Sequence, residues 1–485
     1  MASNSSSTPK PARNPGLNAL FQYPLMSAIS ERRTRRIARG TSLLADGLSY
    51  TSTNKPAPLS ALEEAVLIVS TGITGSVMHD GPLQIPGGGL ELGTPFVNAL
   101  GRSASSPDNS QATSFFVIND DGICLLKRLE GRDALALAKG LPPDKADWAD
   151  ADWLAAAQAV KVKIADQRLD FPRQFPYYLG WNKQISNLPG TTIFFPVVDC
   201  TRGYINIILN LLSEPDGQRP LFVDDWQKFK PADLVEAAEW SAVELGFVNQ
   251  KIPYQVVGGL TRAQDGFVNP NIDLPLGLAS AMRVNYESFL LLQNLMLIGQ
   301  AIGLGGWVHS SVAPPYILQR DPAQKFMGLG FRMQTPTKKW ADTNWPPVPA
   351  NQPNPVGIDG VLQGLCPPYV SSMNDAVDQL LAEKYGKDGL YTDLDVFKIP
   401  YQNQADAENY LKNASHYSDK NVEYTKQICN YIFDTYGRFP AHVDAFHVPG
   451  IWLQFSHLEL EYYAKYYNLD EYRRQSEHAQ MWDER

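Results

Sequence analysis

Three segments of this 485-residue chain predict a fold that mixes helices and strands, with at least one antiparallel pair. One is a capped amphipathic helix beginning near residue 60. The second is a β-hairpin at 115–128, and the third is a stretch from Ser288 to Gln319 that carries no formal charge. A helix that is apolar all round belongs in a large core or at an interface between subunits, so helices and strands must pack in layers. The composition, 44% apolar and 19% charged, supplies a core of two or three domains' size. Forty-two basic against fifty-one acidic residues give a net charge of −9, which argues against nucleic acid or an anionic lipid surface as a partner. The cysteines at 124, 200, 366 and 429 have no C-x-x-C spacing and read as reduced thiols of a cytoplasmic chain.

In chain order, residues 1–19 open with Ser, Pro and Asn and predict a flexible tail without a secretory apolar run. The compact basic run Arg32-Arg33-Thr34-Arg35-Arg36 follows. Guanidinium groups bind phosphate bidentately and a threonine hydroxyl adds a neutral donor, so the run can hold the anionic end of a phosphorylated ligand. From Pro58 to Gly72, Ser60 and Glu63 form a capping box, with Leu62, Ala65, Val66 and Val69 at helical spacing. A Ser/Asn stretch, Ser103 to Gln111, lies just before the hairpin, whose strands Phe115–Asn119 and Ile123–Arg128 flank Asp120-Asp121-Gly122. Its amides and hydroxyls could bond the edge of a planar heteroaromatic ligand; turns are built from the same residues. Helical patterns at Asp147–Ile164 and Pro231–Leu245 enclose a buried strand, Thr191–Cys200.

The helix Ser288–Val308 contains Gln293, Asn294 and Gln300, polar groups that need partners inside a core. Its amides, its glycines and the lack of a flanking Lys/Arg cluster favour a buried helix over a membrane span. A Pro-rich linker or arm at 336–357 precedes an extension at 358–485, expected to be mainly helical at Asp375–Tyr385, Asp406–Asn413, Asn421–Tyr436 and Ile451–Tyr467. No phosphate loop, H-E-x-x-H helix, G-x-S-x-G elbow or dinucleotide fingerprint occurs. His442, His447 and His457, near Asp444 and Glu459, match no metal-site spacing, so no metal ligand is assigned; they read best as polar residues at a buried turn or pocket.

Taken in order, three of these pieces resemble the flavin-dependent nitroreductase superfamily. RRTRR at 32–36 and PLSALEEAVLIVSTGITG at 58–75 are similar to its R-R-S-x-R segment and first core helix. Ser105 to Gln111 before FFVIND resembles its P-S-x-G-N-x-Q loop, and Gln293 to Gly305 its Q-N-L-L-L-A-A-x-x-L-G-L-G helix. The sequence departs from that pattern at Thr34, which keeps the hydroxyl, and at Ser105 and Asp108 in the loop.

The resemblance implies an α+β core at 20–335, a mainly antiparallel sheet flanked by helices with a central insertion at about 130–280, built as an intertwined homodimer with FMN at the interface. It implies that Arg32, Arg33, Thr34 and Arg36 hold the FMN phosphate and ribityl chain. Ser106, Asn109 and Gln111 would meet the polar edge of the ring, Asn294 would support the site, and Arg438 in YGRFP would be a late basic contact. His309 is the candidate proton donor. The expected activity is an oxidoreductase passing hydride through flavin N5 between NAD(P)H or an organic donor and an electron-poor or biosynthetic small-molecule substrate. The alternatives are a homodimeric scaffold that has lost flavin, and a metal-dependent enzyme using the late histidines.

Overall fold

A computed structural model describes residues 13–482 apart from 45–46, 73, 77, 79–82, 85–89, 92–95, 179, 225–264, 280–281, 319–325, 335–353, 414–415 and 445–449. The helix expected at Pro231–Leu245, His447 and most of the Pro-rich segment lie outside the described residues.

The fold is α+β, organised around a seven-stranded sheet in which every pairing is antiparallel. We label its strands β1 (Thr113–Asn119), β2 (Gly122–Leu126), β3 (Lys161–Ala165), β4 (Thr192–Asp199), β5 (Gly305–Val312), β6 (His442–Asp444) and β7 (Gly450–Ser456). Their order is β5-β7-β4-β1-β2-β3, with β6 pairing to β4 beyond the end of β7. β1 and β2 form the expected hairpin, Asn119 opposite Gly122, whose φ of +119° admits no ordinary side chain there.

Both faces of the sheet are covered, which is why β4 reads as an uninterrupted apolar run. Side chains alternate along each strand. Phe115, Phe194, Leu453 and Phe455 face one core, together with the helices α3 (Ala61–Ser70), α5 (Asp150–Val160) and α7 (Met282–Ile302). Their neighbours Phe116, Phe195 and Trp452 face the other, against Phe171, Tyr178 and Phe331. A third apolar cluster joins α6 (Thr201–Leu211), α8 (Met373–Tyr385) and α9 (Asp419–Tyr436). The remaining labels are α1 (Pro15–Gln22), α2 (Leu25–Glu31), α4 (Gly131–Lys139), α10 (Leu460–Tyr466), α11 (Arg473–Ser476) and α12 (His478–Trp482).

α3 has the expected capping box: Ser60 Oγ accepts from the Glu63 N–H at 3.2 Å and the Ser60 N–H donates to Glu63 Oε2 at 2.6 Å. Three expected boundaries change. The pattern at Asp147–Ile164 divides into α5 and β3, because β-branched Val162 and Ile164 alternate with lysines at the sheet edge. The apolar helix ends at Ile302, where Gly303 takes a left-handed φ of +82° and the chain turns into β5. Of the expected helix Ile451–Tyr467, residues 451–456 belong instead to β7, a central strand completed from far along the chain; short apolar runs do not distinguish a buried strand from a buried helix. The last 128 residues thus combine helices with two strands of the main sheet. Among the described residues no helix is long and apolar enough to cross a membrane.

α7 lies close on the sheet because a Cβ at Gly299 would sit 2.3 Å from the Phe455 ring. Among the described residues nothing covers its outer side: Tyr286 and Leu290 are exposed, as are Leu25, Met26 and Ile29 on the adjoining α2.

Candidate functional site

The basic run leaves α2 as extended chain beside the end of β5, where the Arg35 N–H donates to the Gly306 carbonyl at 3.4 Å. Arg35 is buried, whereas Arg33, Thr34 and Arg36 are exposed and Arg32 is half-buried. Arg35 donates to Gln300 Oε1 at 3.0 Å and to the Glu471 carbonyl, and burial lowers its pKa to about 10. Arg36 bonds Asn182 Oδ1 at 2.7 Å, and Arg33 makes a solvent-exposed ion pair with Glu471 at 3.4 Å. Three arginines and a threonine therefore flank one buried anchor in sequence, on a segment whose backbone bonds the sheet at Gly306.

The Ser106–Gln111 loop is built differently. Asp108, Asn109 and Gln111 all have φ between +47° and +49°, a concentration of left-handed non-glycine residues that needs external support. Glu287 on α7 provides it. Fully buried, its carboxylate accepts from Ser106 Oγ at 2.6 Å, the Thr113 N–H at 2.9 Å and the Ala112 N–H at 3.2 Å. It also pairs with the buried Arg102 at 3.3 Å, whose pKa burial lowers to about 10 against the pull of this carboxylate. Asn109 Nδ2 donates to the carbonyls of Asn98 at 2.6 Å and Leu100 at 3.2 Å, and Gln111 Nε2 donates to Asn109 Oδ1 at 2.6 Å. Gln111 Oε1 is buried without a hydrogen-bond partner among the described residues. Half-buried Asn294 donates to Ser103 Oγ at 3.1 Å.

Within one chain the two regions do not meet. Glu287 clamps the loop and Gln300 receives Arg35, and these residues are thirteen apart on α7, about 20 Å at helical rise. Arg438 is likewise remote: it precedes β6, at the Asp199 end of β4, whereas the basic run adjoins the opposite end of the sheet. Its guanidinium is buried, which lowers its pKa to about 10. His309 is enclosed too, stacked on Trp307 at 3.8 Å between ring centres, with Nε2 accepting from the Trp452 indole N–H. Burial and then the nearby Arg36 lower its pKa to about 3, so it is neutral at pH 7 and is not poised as an acid.

Beside the loop, a cavity of about 310 Å³ is lined mainly by apolar groups, including Phe115, Leu126 and Trp148, with Thr71, Arg102 and Arg128 at its polar points. A separate polar cluster joins Glu63, His457 and His478, whose donor atoms all lie within 4.8 Å of one another. Each Nε2 lies within 3.0 Å of Glu63 Oε1, and where the rings are protonated they hold its carboxyl well below the usual range despite burial. Fully buried His442 and the half-buried His457 belong to opposite ends of the sheet, so they do not form one metal site.

Sequence reasoning missed Glu287, Arg102 and the inward role of Arg35. The first had a signal: Glu287 is the acid immediately before the uncharged stretch, a charge on the buried side of an apolar helix. The Glu63–His457–His478 cluster had none, since its members are scattered along the chain and Glu63 is explained by capping alone. Scans of family models, curated proteins and solved structures find no match for this chain.

Proposed function

We propose that the chain is an FMN-dependent oxidoreductase that works as a homodimer, with each flavin held between two protomers. The observation that carries this reading is the basic run: exposed Arg33, Thr34 and Arg36 and half-buried Arg32, presented around a buried Arg35. Cations whose side chains reach solvent from a fixed backbone fit a phosphate monoester. The loop fits less fully, because Asn109 and the Gln111 amide are engaged internally; Gln111 Oε1 and half-buried Asn294 retain accepting or donating capacity.

The separation of about 20 Å between these regions makes the dimer a requirement of the reading. In an isologous pair the basic run of one protomer can approach the loop of its partner. The uncovered apolar side of α7 and α2, with Tyr286, Leu290, Leu25, Met26 and Ile29, supports that pairing. Bound flavin would supply hydride transfer between a nicotinamide or organic donor and an organic acceptor. The protein's own tasks are then to anchor phosphate through Arg32, Arg33, Thr34 and Arg36, to hold the strained loop rigid through Glu287, and to exclude water. The apolar cavity beside the loop fits an aromatic or otherwise hydrophobic substrate. No proton step is routed through His309.

The test is flavin retention in Arg32→Ala/Arg36→Ala. Loss of FMN from a variant that keeps its circular dichroism spectrum and molar mass supports the anchoring role. Unchanged FMN content places the phosphate elsewhere, and a chain that never binds FMN favours the scaffold alternative.

A further inference from the structure

Glu63 lies in the first turn of α3, His457 follows β7 and His478 opens α12, so their meeting joins three segments distant in sequence. His457 Nε2 lies 3.0 Å from Glu63 Oε1, and His478 Nε2 lies 2.6 Å from the same oxygen. On their other sides, His457 Nδ1 is 3.1 Å from the Ala57 carbonyl and His478 Nδ1 is 2.7 Å from the Ile302 carbonyl. A carbonyl oxygen only accepts, so each Nδ1 must carry a proton. In a neutral ring that leaves Nε2 as a bare lone pair, and two such lone pairs then face one carboxylate oxygen that also only accepts.

Either a second proton on each ring or one cation among the three atoms removes that conflict, and a single ion does so without charging two largely enclosed rings. We propose that Glu63, His457 and His478 form a binding site for a divalent first-row transition metal, of which zinc is the reference case.

Two imidazoles and one carboxylate suit zinc, cobalt or iron(II), whereas magnesium and calcium prefer oxygen ligands throughout. Donation of Nδ1–H to a backbone carbonyl is the arrangement that fixes the tautomer and orientation of metal-binding histidines. The second carboxylate oxygen is already committed to the Ser60 N–H at 2.6 Å, so Glu63 offers one oxygen at a fixed angle. Gly303 allows the approach from the other side: a Cβ there would lie 3.2 Å from His478 Cβ and 2.8 Å from the Arg474 carbonyl. The rings of His457 and His478 keep 20% and 12% of their surface exposed, which leaves room for a water as fourth ligand. The bound ion fastens α12 to the start of α3 and the end of β7. This site is independent of flavin, because none of the proposed flavin-contacting residues contributes to it.

The experiment uses the full-length chain, stripped with chelator and titrated with Zn²⁺ and with Co²⁺. The expected result is one ion per chain, visible absorption of Co²⁺ with nitrogen and oxygen ligands, and a higher thermal midpoint with metal. His478→Ala, which leaves the α3 cap intact, should bind at least about a hundredfold more weakly, as should Glu63→Gln, which can still accept the Ser60 N–H. Wild-type protein that binds neither ion would overturn the site and leave two protonated imidazoles sharing one carboxylate. Equal Co²⁺ affinity and spectrum in wild type and in folded His478→Ala would overturn it as well.

Discussion

In the basic segment, Arg35 turns inward to Gln300 while Arg33, Thr34 and Arg36 reach solvent; in the Ser106–Gln111 loop, Gln111 bonds Asn109, which in turn bonds the Asn98 and Leu100 carbonyls. Both regions are polar, both adjoin α7, and both look like ligand-binding motifs in sequence. They differ in what their polar atoms are free to do. The first holds its shape with one buried cation and leaves the others accessible. The second uses nearly all its donors to support three left-handed residues, with Glu287 as the clamp. A polar motif is evidence for a ligand in proportion to the groups its own folding leaves available.

The largest expected effect tests the loop side of that contrast. Glu287→Ala removes the acceptor of two backbone N–H groups and strands buried Arg102, so it should destabilise by about 3–5 kcal/mol, read from chemical denaturation. A loss below about 1 kcal/mol would mean that the loop supports itself. Arg35→Ala, which deletes charged hydrogen bonds to Gln300 and the Glu471 carbonyl, should cost about 1.5–3 kcal/mol and disorder the presentation of its neighbours.

A comparable effect is expected from pH beside the basic run. His309, whose ordinary pKa is 6.5, is lowered to about 3 by burial and by Arg36. Below pH 6.5 the unfolded chain takes up a proton that the folded chain refuses, so this stabilisation is complete above pH 6.5 and is lost as pH falls toward 3. The loss amounts to about 2 kcal/mol by pH 5. Buried His442, also lowered, acts in the same direction. Denaturation midpoints of wild type and His309→Gln across pH 5–7 isolate the His309 part; parallel slopes would show that His309 protonates freely in the folded protein.

The smallest expected effect is the stability change in Arg33→Ala, within about 0.5 kcal/mol, because its pair with Glu471 is solvent-exposed. The same substitution should weaken FMN binding, so the basic segment separates stability from binding, with Arg35 on one side and Arg33 on the other.

The local elements were the legible part of this fold. The capping box at Ser60 and Glu63, the Asp-Asp-Gly hairpin and the apolar run of β4 each carry a local cause that the sequence displays. β7 was not legible, since a seven-residue apolar strand from near residue 450 enters the sheet between β5 and β4 through pairings that local periodicity does not encode. The glycines after Gln300 show the same limit: Gly303 caps α7, while Gly305 and Gly306 admit Leu458 and Phe455 at close range. Their spacing resembles a flavin-family motif, and packing alone already requires them. In the candidate site, Arg33, Thr34 and Arg36 were legible as accessible groups. Arg438 was read from its context in YGRFP and His309 from its place after the G-L-G glycines, and their enclosure depends on tertiary packing.

The central claim is that the basic run and the polar loop act together only across two chains, and one titration tests it directly. FMN is added to the full-length protein while flavin fluorescence and, by light scattering, molar mass are followed across protein concentration. The account predicts one FMN per chain, bound by a species of twice the chain mass and weakened on dilution to monomer. Tight FMN binding by the monomer, or a stable dimer that binds no FMN, would contradict it.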